Sequence, residues 1–304
     1  MLYSVLPIMR YPTIRQLQYF TALAEHVHFG RAAEASFVSQ SAFSTAIADL
    51  EATLETQLVD RTNKQVTITA TGQDVATQAR LVIRDLEALI ETAGQRREPL
   101  TGDLRLGIIP TIAPFLLPTL MPKLRKSFPE LRLYLVEDQT DRIHQRMLAG
   151  ELDLLLLALP YELRSTTTLS LFEDRFRLAA STNSKRVDPK NYRFNRLDAD
   201  SVLLLEDGHC LRDHALLACK IRNTQKVSRF AANSLLTLVE MVDADLGITF
   251  LPEMAIGSAL LQNTRVKTYA IDDKSHRTIG LAWRKGSARS DEFHALGDFI
   301  CANR

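Results

Sequence analysis

The chain has 304 residues, 46% of them apolar and 24% charged, the composition of a folded protein long enough for two domains. Its 37 Lys and Arg against 36 Asp and Glu leave a net charge of +1, which excludes a generally basic, histone-like nucleic-acid binder but not a local patch. No apolar run approaches the ~18 residues of a membrane span, the N-terminus lacks a signal-peptide pattern, and three cysteines are too few for a disulfide framework, so a cytoplasmic location with reduced thiols is expected.

The first 98 residues read as helices with one short extended exception. Ile14, Leu17, Phe20 and Leu23 recur at helical spacing and mark an amphipathic first helix. Between residues 29 and 61, Ala32, Ala33 and Ala35 are small, as a close helix crossing requires, and Ser39 is placed to cap the next helix. That helix turns Phe43, Ile47, Leu50 and Leu54 inward and Gln40, Ser41, Ser44, Thr45 and Ala48 outward. Two short helices, a tight break and a short polar outer face describe a helix-turn-helix, whose outer face meets the major groove. Its hydroxyls suit permissive base readout, and Gln40 suits adenine. The alternation Val66-Thr67-Ile68-Thr69, with Arg61, Asn63 and Lys64 before it, reads as a β-wing. A long helix then begins at Thr71-Gly72, with an apolar stripe of Val75, Ala79, Val82, Leu86, Leu89 and Ala93 close to a seven-residue repeat. It is either a dimerising linker or a helix packed on its own domain. Residues 1–70 hold five Arg or Lys against six Asp or Glu, so phosphate contacts fall to a few cations, Arg31, Arg61 and Lys64, helped by helix N-termini and hydroxyls.

After a break at Glu98-Pro99-Leu100-Thr101-Gly102 the pattern changes to βαβαβ. Strands are expected at 104–109, 131–136 and 152–159 and helices at 112–128 and 142–148, which gives a parallel sheet with helices on both faces. Further strands are expected at 176–181, 202–206, 227–231, 247–250 and 278–283, enough for two α/β subdomains around a cleft. Thr111 and Thr140 follow the first two strands, at the ends where such clefts lie, although each also suits ordinary helix capping. Cys210 follows a strand and a Gly-His turn, which places it at or near a helix N-terminus, where the dipole and free N–H groups favour a thiolate. Cys210 and Cys219 admit three readings: two small buried residues, a Cys/His metal set with His209 and His214, or a redox pair. The spacing is poor for zinc. Cys301 reads as structural or merely exposed.

The stretch QYFTALAEHVHFGRAAEASFVSQSAFSTAIADLE resembles the N-terminal domain of LysR-type transcriptional regulators, and the wing, linker and two-part α/β region continue the resemblance over almost the whole chain. EDGHCLRDHALLAC (residues 206–219) resembles the redox segment of that family's OxyR-like, peroxide-sensing subgroup; GIIPTIAPFLLP (107–118), VEDQT (136–140) and HRTIGLAWR (276–284) fit it too. The resemblance implies an all-α winged helix-turn-helix over residues 10–70 and a linker and dimerisation helix over 71–98. Residues 99–304 would form an α/β effector domain of two Rossmann-like subdomains, like a periplasmic binding protein. It implies Cys210 as the peroxidatic and Cys219 as the resolving cysteine of a reversible disulfide. A peroxide pocket of Thr111, Thr140, His209, Asp213 and Arg277 goes with it, Arg277 favouring the thiolate; Asp213 is alternatively an ion-pair partner of Arg212. No metal or cofactor is implied. The implied partners are promoter DNA, a second copy joined through Val75, Val82, Leu86 and Leu89, a tetramer on DNA, RNA polymerase, and a thiol reductant of glutaredoxin or thioredoxin type. Two other functions stand beside this one: a regulator answering a small organic effector in the cleft, and a thiol peroxidase or oxidoreductase. Against the enzyme count the lack of a CxxC and the complete helix-turn-helix with its linker.

Overall fold

The computed structural model describes residues 10–61, 66–93, 100–184, 197–218, 224–271 and 275–304. Asn63, Lys64, Cys219 and the expected break at Glu98-Pro99 lie outside the described residues, as do the side chains of Arg61 and Ala93. The chain divides into two compact units.

The first unit runs α1 (Ile14–His26), α2 (Phe29–Ala35), α3 (Gln40–Leu54), β1 (Val59–Arg61), β2 (Val66–Ile68) and α4 (Ala70–Ala93). Thr13 and Gln16 form a reciprocal capping box that starts α1, and the Ser39 hydroxyl accepts from the Ala42 N–H to start α3. The core is Phe20, Leu23, Phe43, Ile47 and Leu50, all without exposed surface, with Ala32 and Ala33 at the helix crossing and Tyr19 stacked on Phe43 at 5.1 Å. Leu54 is only half-buried at its edge. β1 and β2 pair antiparallel as the wing. The Glu51 carboxylate accepts from the Leu58 and Val59 N–H groups and fixes where the wing begins. Gly72 sits so close behind it that a Cβ would lie 2.3 Å from the Leu58 carbonyl oxygen, so no other residue fits.

The α4 stripe divides. Ala76 and Ala79 are buried in the first unit's core and Val75 packs against it, whereas Val82 and Leu89 stand 46% and 64% exposed and Leu86 is half-buried. The early turns therefore serve their own unit, because the period of the helix carries the stripe off that core after about three turns.

The second unit runs β3 (Gly102–Ile108), α5 (Ala113–Ser127), β4 (Leu131–Glu137), α6 (Thr140–Leu148), β5 (Leu154–Leu159), β6 (Thr166–Ser181), β7 (Val202–Leu205), α7 (Cys210–Ala218), β8 (Val227–Ala232), α8 (Leu235–Asp243), β9 (Thr249–Pro252), β10 (Val266–Ala270), β11 (His276–Arg284) and α9 (Ser290–Asn303). The expected βαβαβ is present, with β3 parallel to both β4 and β5. The sheet as a whole is mixed, however, since β11 returns antiparallel between β5 and β6, and β9 and β10 pair antiparallel with β6. Where 176–181 was expected, β6 spans sixteen residues; its Thr-rich first half is partly exposed and lacks the apolar signal of a buried strand. The short β10 was not anticipated at all.

β6 joins two apolar cores. Residues 166–175 pair with β11 beside a core that includes Leu106, Leu156, Ile279 and Trp283. Residues 176–181 pair with β9 and β10 beside a second core that includes Leu178, Leu204, Val239 and Phe250. Two α/β subdomains on one shared strand result.

Candidate functional site

In the first unit, α3 presents Gln40, Ser41 and Thr45 exposed on one face, with Ser44 half-buried, and Arg31 is exposed on α2. Ser41 Oγ lies 3.1 Å from Ser39 Oγ, and Thr45 Oγ1 donates to the Ser41 carbonyl at 3.0 Å, so both hydroxyls are oriented by their own helix. The Arg31 backbone N–H donates to His28 Nδ1, a cap at the start of α2 that sequence reasoning missed.

In the second unit, parallel pairing brings the carboxyl ends of β3 and β4 side by side, Ile108 opposite Glu137. The turns after them deliver Thr111 and Thr140. A third turn, after β7, delivers Gly208, His209 and Cys210. Together with Ile109, Pro110 and Gln139 these residues line a tight void, too narrow as it stands to admit a water molecule. Gly208 adopts φ +96°, a conformation that favours glycine, and a Cβ there would also have to displace the end of the Gln139 side chain.

Cys210 is a free thiol at the first position of α7, 4% exposed. Burial pushes its pKa up; a hydrogen bond with the Thr140 side chain, the Arg277 charge and a backbone hydrogen bond at Ala158 pull it down, and Asp213 pushes it up again. The net direction is upward. The thiolate expected from the helix N-terminus is thus opposed by the dryness of the site. Thr140 Oγ1 is buried against the sulfur with no partner of good geometry among the described residues. His209 is buried and its pKa is lowered by desolvation, which Glu206 opposes, so the ring faces the void uncharged at neutral pH.

Arg277 stands behind the void and is wholly buried. Its Nε donates to Asp174 Oδ2 at 3.0 Å, Nη1 to Thr111 Oγ1 at 2.8 Å and Nη2 to the Thr111 carbonyl at 2.9 Å. Because Thr111 Oγ1 accepts from the guanidinium, its own hydrogen points elsewhere. Asp174 Oδ1 in turn accepts from the Met254 N–H. Arg277 and Asp174 are cross-strand partners on β11 and β6, at the point where β6 passes between the two cores.

Of the residues expected here, Thr111, Thr140, His209 and Cys210 line one void, and Arg277 lies one hydrogen bond behind it. Asp213 does not line it: it is exposed on the first turn of α7 and acts on Cys210 only through its charge. Arg212 engages Asp207 at 2.9 Å and the Leu205 carbonyl at 3.1 Å instead of Asp213. His214 is occupied with the Pro160 carbonyl, and exposed Cys301 donates to the Leu171 carbonyl.

Residues 14–73 match the bacterial regulatory helix-turn-helix proteins of the lysR family, and residues 97–303 match the LysR substrate binding domain. The chain belongs to the LysR family of transcriptional regulators. Across 290 residues, 95% of this chain and 96% of the relative, it is 40% identical to the HTH-type transcriptional regulator EstR of Acinetobacter baylyi. It is 38% identical to the DNA-binding transcriptional dual regulator OxyR of Escherichia coli over 95% of each chain. A full-length OxyR variant from Pseudomonas aeruginosa has the same fold over 95% of each chain, with a TM-score of 0.81 at 30% identity. As a LysR-family protein this chain is a DNA-binding regulator, and the family matches point to no enzyme class. No helix among the described residues is long and apolar enough to cross a membrane.

Sequence reasoning marked Gly208 as part of the Gly-His turn but missed Gln139, Ala158 and Asp174. Asp174 was out of reach, because its partner lies 103 residues away and nothing local to either residue announces the pair.

Proposed function

We propose that this LysR-family regulator senses hydrogen peroxide through reversible disulfide formation between Cys210 and Cys219 and so activates oxidative-stress defence genes. The observation that carries the reading is the enclosure of the Cys210 thiol by Thr111, Thr140 and His209, with a second cysteine nine positions on in the sequence. The Cys210 thiolate attacks one peroxide oxygen, the O–O bond breaks, and the leaving hydroxide takes a proton and departs as water. The Thr111 and Thr140 hydroxyls and neutral His209 stabilise the charge that grows on that oxygen. Arg277 is a positioning residue that aims Thr111. The Cys219 sulfur then attacks the sulfenic acid, an S–S bond forms, and a second water leaves. Two thiols are oxidised by two electrons and one peroxide is reduced. A thioredoxin- or glutaredoxin-type dithiol reverses the change. Residues 10–70 bind promoter DNA, with Arg31, Arg61 and Lys64 on phosphates and Gln40, Ser41, Ser44 and Thr45 facing bases. Residues 71–98 link and dimerise the chain through Val82, Leu86 and Leu89, with Val75 at the seam's start, and residues 99–304 sense. Exposed Val82 and Leu89 support that seam, and dimers pair to a tetramer on DNA that engages RNA polymerase.

The likeness to EstR favours a second reading, a small organic effector in place of peroxide. Mass spectrometry of the peroxide-treated chain separates the two. The redox reading expects an intramolecular Cys210–Cys219 disulfide, none in Cys210→Ser, and trapped sulfenic acid without that disulfide in Cys219→Ser. A Cys210→Ser protein that still shifts its promoter footprint on peroxide treatment overturns it.

A further inference from the structure

We infer that His214 is the latch that holds α7 wound, and that its release sets the rate at which Cys210 and Cys219 close. The rate claim rests on the redox reading above; the holding role does not.

α7 is buried on two faces. Leu211 and Ala215 pack into the second core, while Cys210 packs into the first. One turn beyond Cys210, at the i+4 position that shares its face, His214 turns to the same end of β5. The Cys210 sulfur comes near the backbone at Ala158 without a hydrogen bond of good geometry, whereas His214 Nε2 lies 2.9 Å from the Pro160 carbonyl oxygen. His214 thus ties the helix to that strand end. A carbonyl only accepts, so Nε2 carries the ring hydrogen and Nδ1 is the bare nitrogen. Nδ1 is buried and unpartnered among the described residues, which makes the Pro160 contact the ring's polar anchor.

The chemistry leaves that tie in place. Once Cys210 becomes a sulfenic acid, its surroundings at Ala158 and Thr140 have to be remade, but nothing in that step touches His214. From Cys210 to Ala218 the helix rises about 12 Å. A disulfide needs Cα atoms within about 7 Å. α7 therefore has to unwind, and His214, at its centre, holds it until the Pro160 bond breaks.

The latch is also sensitive to acid. The charged groups acting on His214 are Arg277 from β11 and Asp213 on α7 itself; Tyr161 follows its partner Pro160 in the chain. Tyr161 donates to Asp141 on α6, and its hydroxyl, pushed up to about 12 mainly by burial, stays protonated. Burial lowers the His214 pKa; the Pro160 hydrogen bond and Asp213 oppose this, and Arg277 adds to it. A group whose pKa is lowered on docking stabilises the docked state above its free value, about 6.5 for imidazole, and loses that contribution as pH falls through the docked value. Acid should loosen α7.

The test is hydrogen exchange of the α7 amides in the reduced full-length protein, which needs no peroxide. His214→Ala removes the anchor; His214→Gln keeps an amide donor for Pro160 but does not titrate. Near neutral pH, the Ala variant should exchange about tenfold faster over residues 211–218, and the Gln variant within about twofold of the unmodified chain. On lowering the pH to about 5.5, after correction for intrinsic exchange, the unmodified chain should lose protection and the Gln variant should not. Equal protection in the Ala variant, or the same acid loosening in the Gln variant, overturns the latch; if the Ala variant does not fold, the acid comparison decides alone. A peroxide pulse with rapid thiol trapping then reads the rate. Sulfenic acid should form equally fast in the unmodified and Ala proteins, and the disulfide should close about tenfold faster in the Ala variant. Unchanged closure despite faster exchange overturns the rate claim. If the unmodified chain gives neither sulfenic acid nor disulfide, the redox reading fails and the rate claim with it, while exchange still decides the latch.

Discussion

α3 and α7 are both short helices entered from a polar turn, and they are built for opposite tasks. α3 rests one apolar face, Phe43, Ile47 and Leu50, on a single core and leaves Gln40, Ser41 and Thr45 in solvent, free to meet another molecule. α7 buries two faces in two cores and hides Cys210 and His214, with His209 buried in the turn just before it. A surface that reads can change residue by residue without disturbing what carries it. A site that must change state is tied into its fold from several elements at once, through Thr111, Arg277, Asp174 and Pro160.

The strongest way to break that contrast is at Arg277. Replacing it with Met leaves the Asp174 carboxylate buried without its cation and Thr111 without its donor. The expected loss is about 3–5 kcal/mol of stability in the second unit alone. Urea unfolding followed at Trp283, the chain's one tryptophan, reads it. The double variant Asp174→Asn, Arg277→Met should recover a good part of the loss, because it removes the orphaned charge as well. A single-variant loss below about 1 kcal/mol would mean that the pair does not anchor the site.

The next largest effect is on rate rather than stability. Thr140→Val deletes a hydroxyl that faces the Cys210 sulfur and lowers its pKa. Sulfenic acid formation should slow about 100-fold. Its pH dependence carries a second sign. Burial already raises the Cys210 pKa, so the rate should climb with pH through the ordinary thiol range, and Thr140→Val should move that climb to higher pH. A rate that is flat with pH in the unmodified chain would mean the thiolate exists at rest.

The two helices also differ in how far the sequence discloses them. α3 was legible apart from Ser44 and Leu54, which are half-buried: its period, its Ser39 cap and its other outward residues are local properties, and all lie within a few positions of one another. Cys210, Thr111, Thr140 and His209 were legible as well, because each ends a strand or a turn that hydrophobic patterning marks. What escaped was everything made by pairing across distance. The mixed sheet, the long first half of β6, the Asp174–Arg277 pair and the His214–Pro160 bond depend on which strands become neighbours. The charge state of Cys210 escaped for the same reason, since a helix N-terminus is visible in sequence and the dryness around it is not.

The smallest effects belong to α3 and test whether its face is as independent as its exposure implies. Neither Gln40 nor Arg31 is buried, so Gln40→Ala and Arg31→Ala should each leave unfolding of the first unit within about 0.5 kcal/mol of the unmodified chain. Their effects on DNA should then part. Arg31→Ala removes a cation and no base contact, so binding should weaken on specific and random duplexes alike and the salt slope should fall by about one. Gln40→Ala should cost about 1–3 kcal/mol on the preferred duplex and little on random DNA, with the salt slope unchanged. Both are read by fluorescence anisotropy over a salt series, using a duplex selected from a random pool by the unmodified protein. Equal losses for Gln40→Ala on the selected and random duplexes would remove it from base readout, and an unchanged salt slope for Arg31→Ala would place that cation off the phosphates.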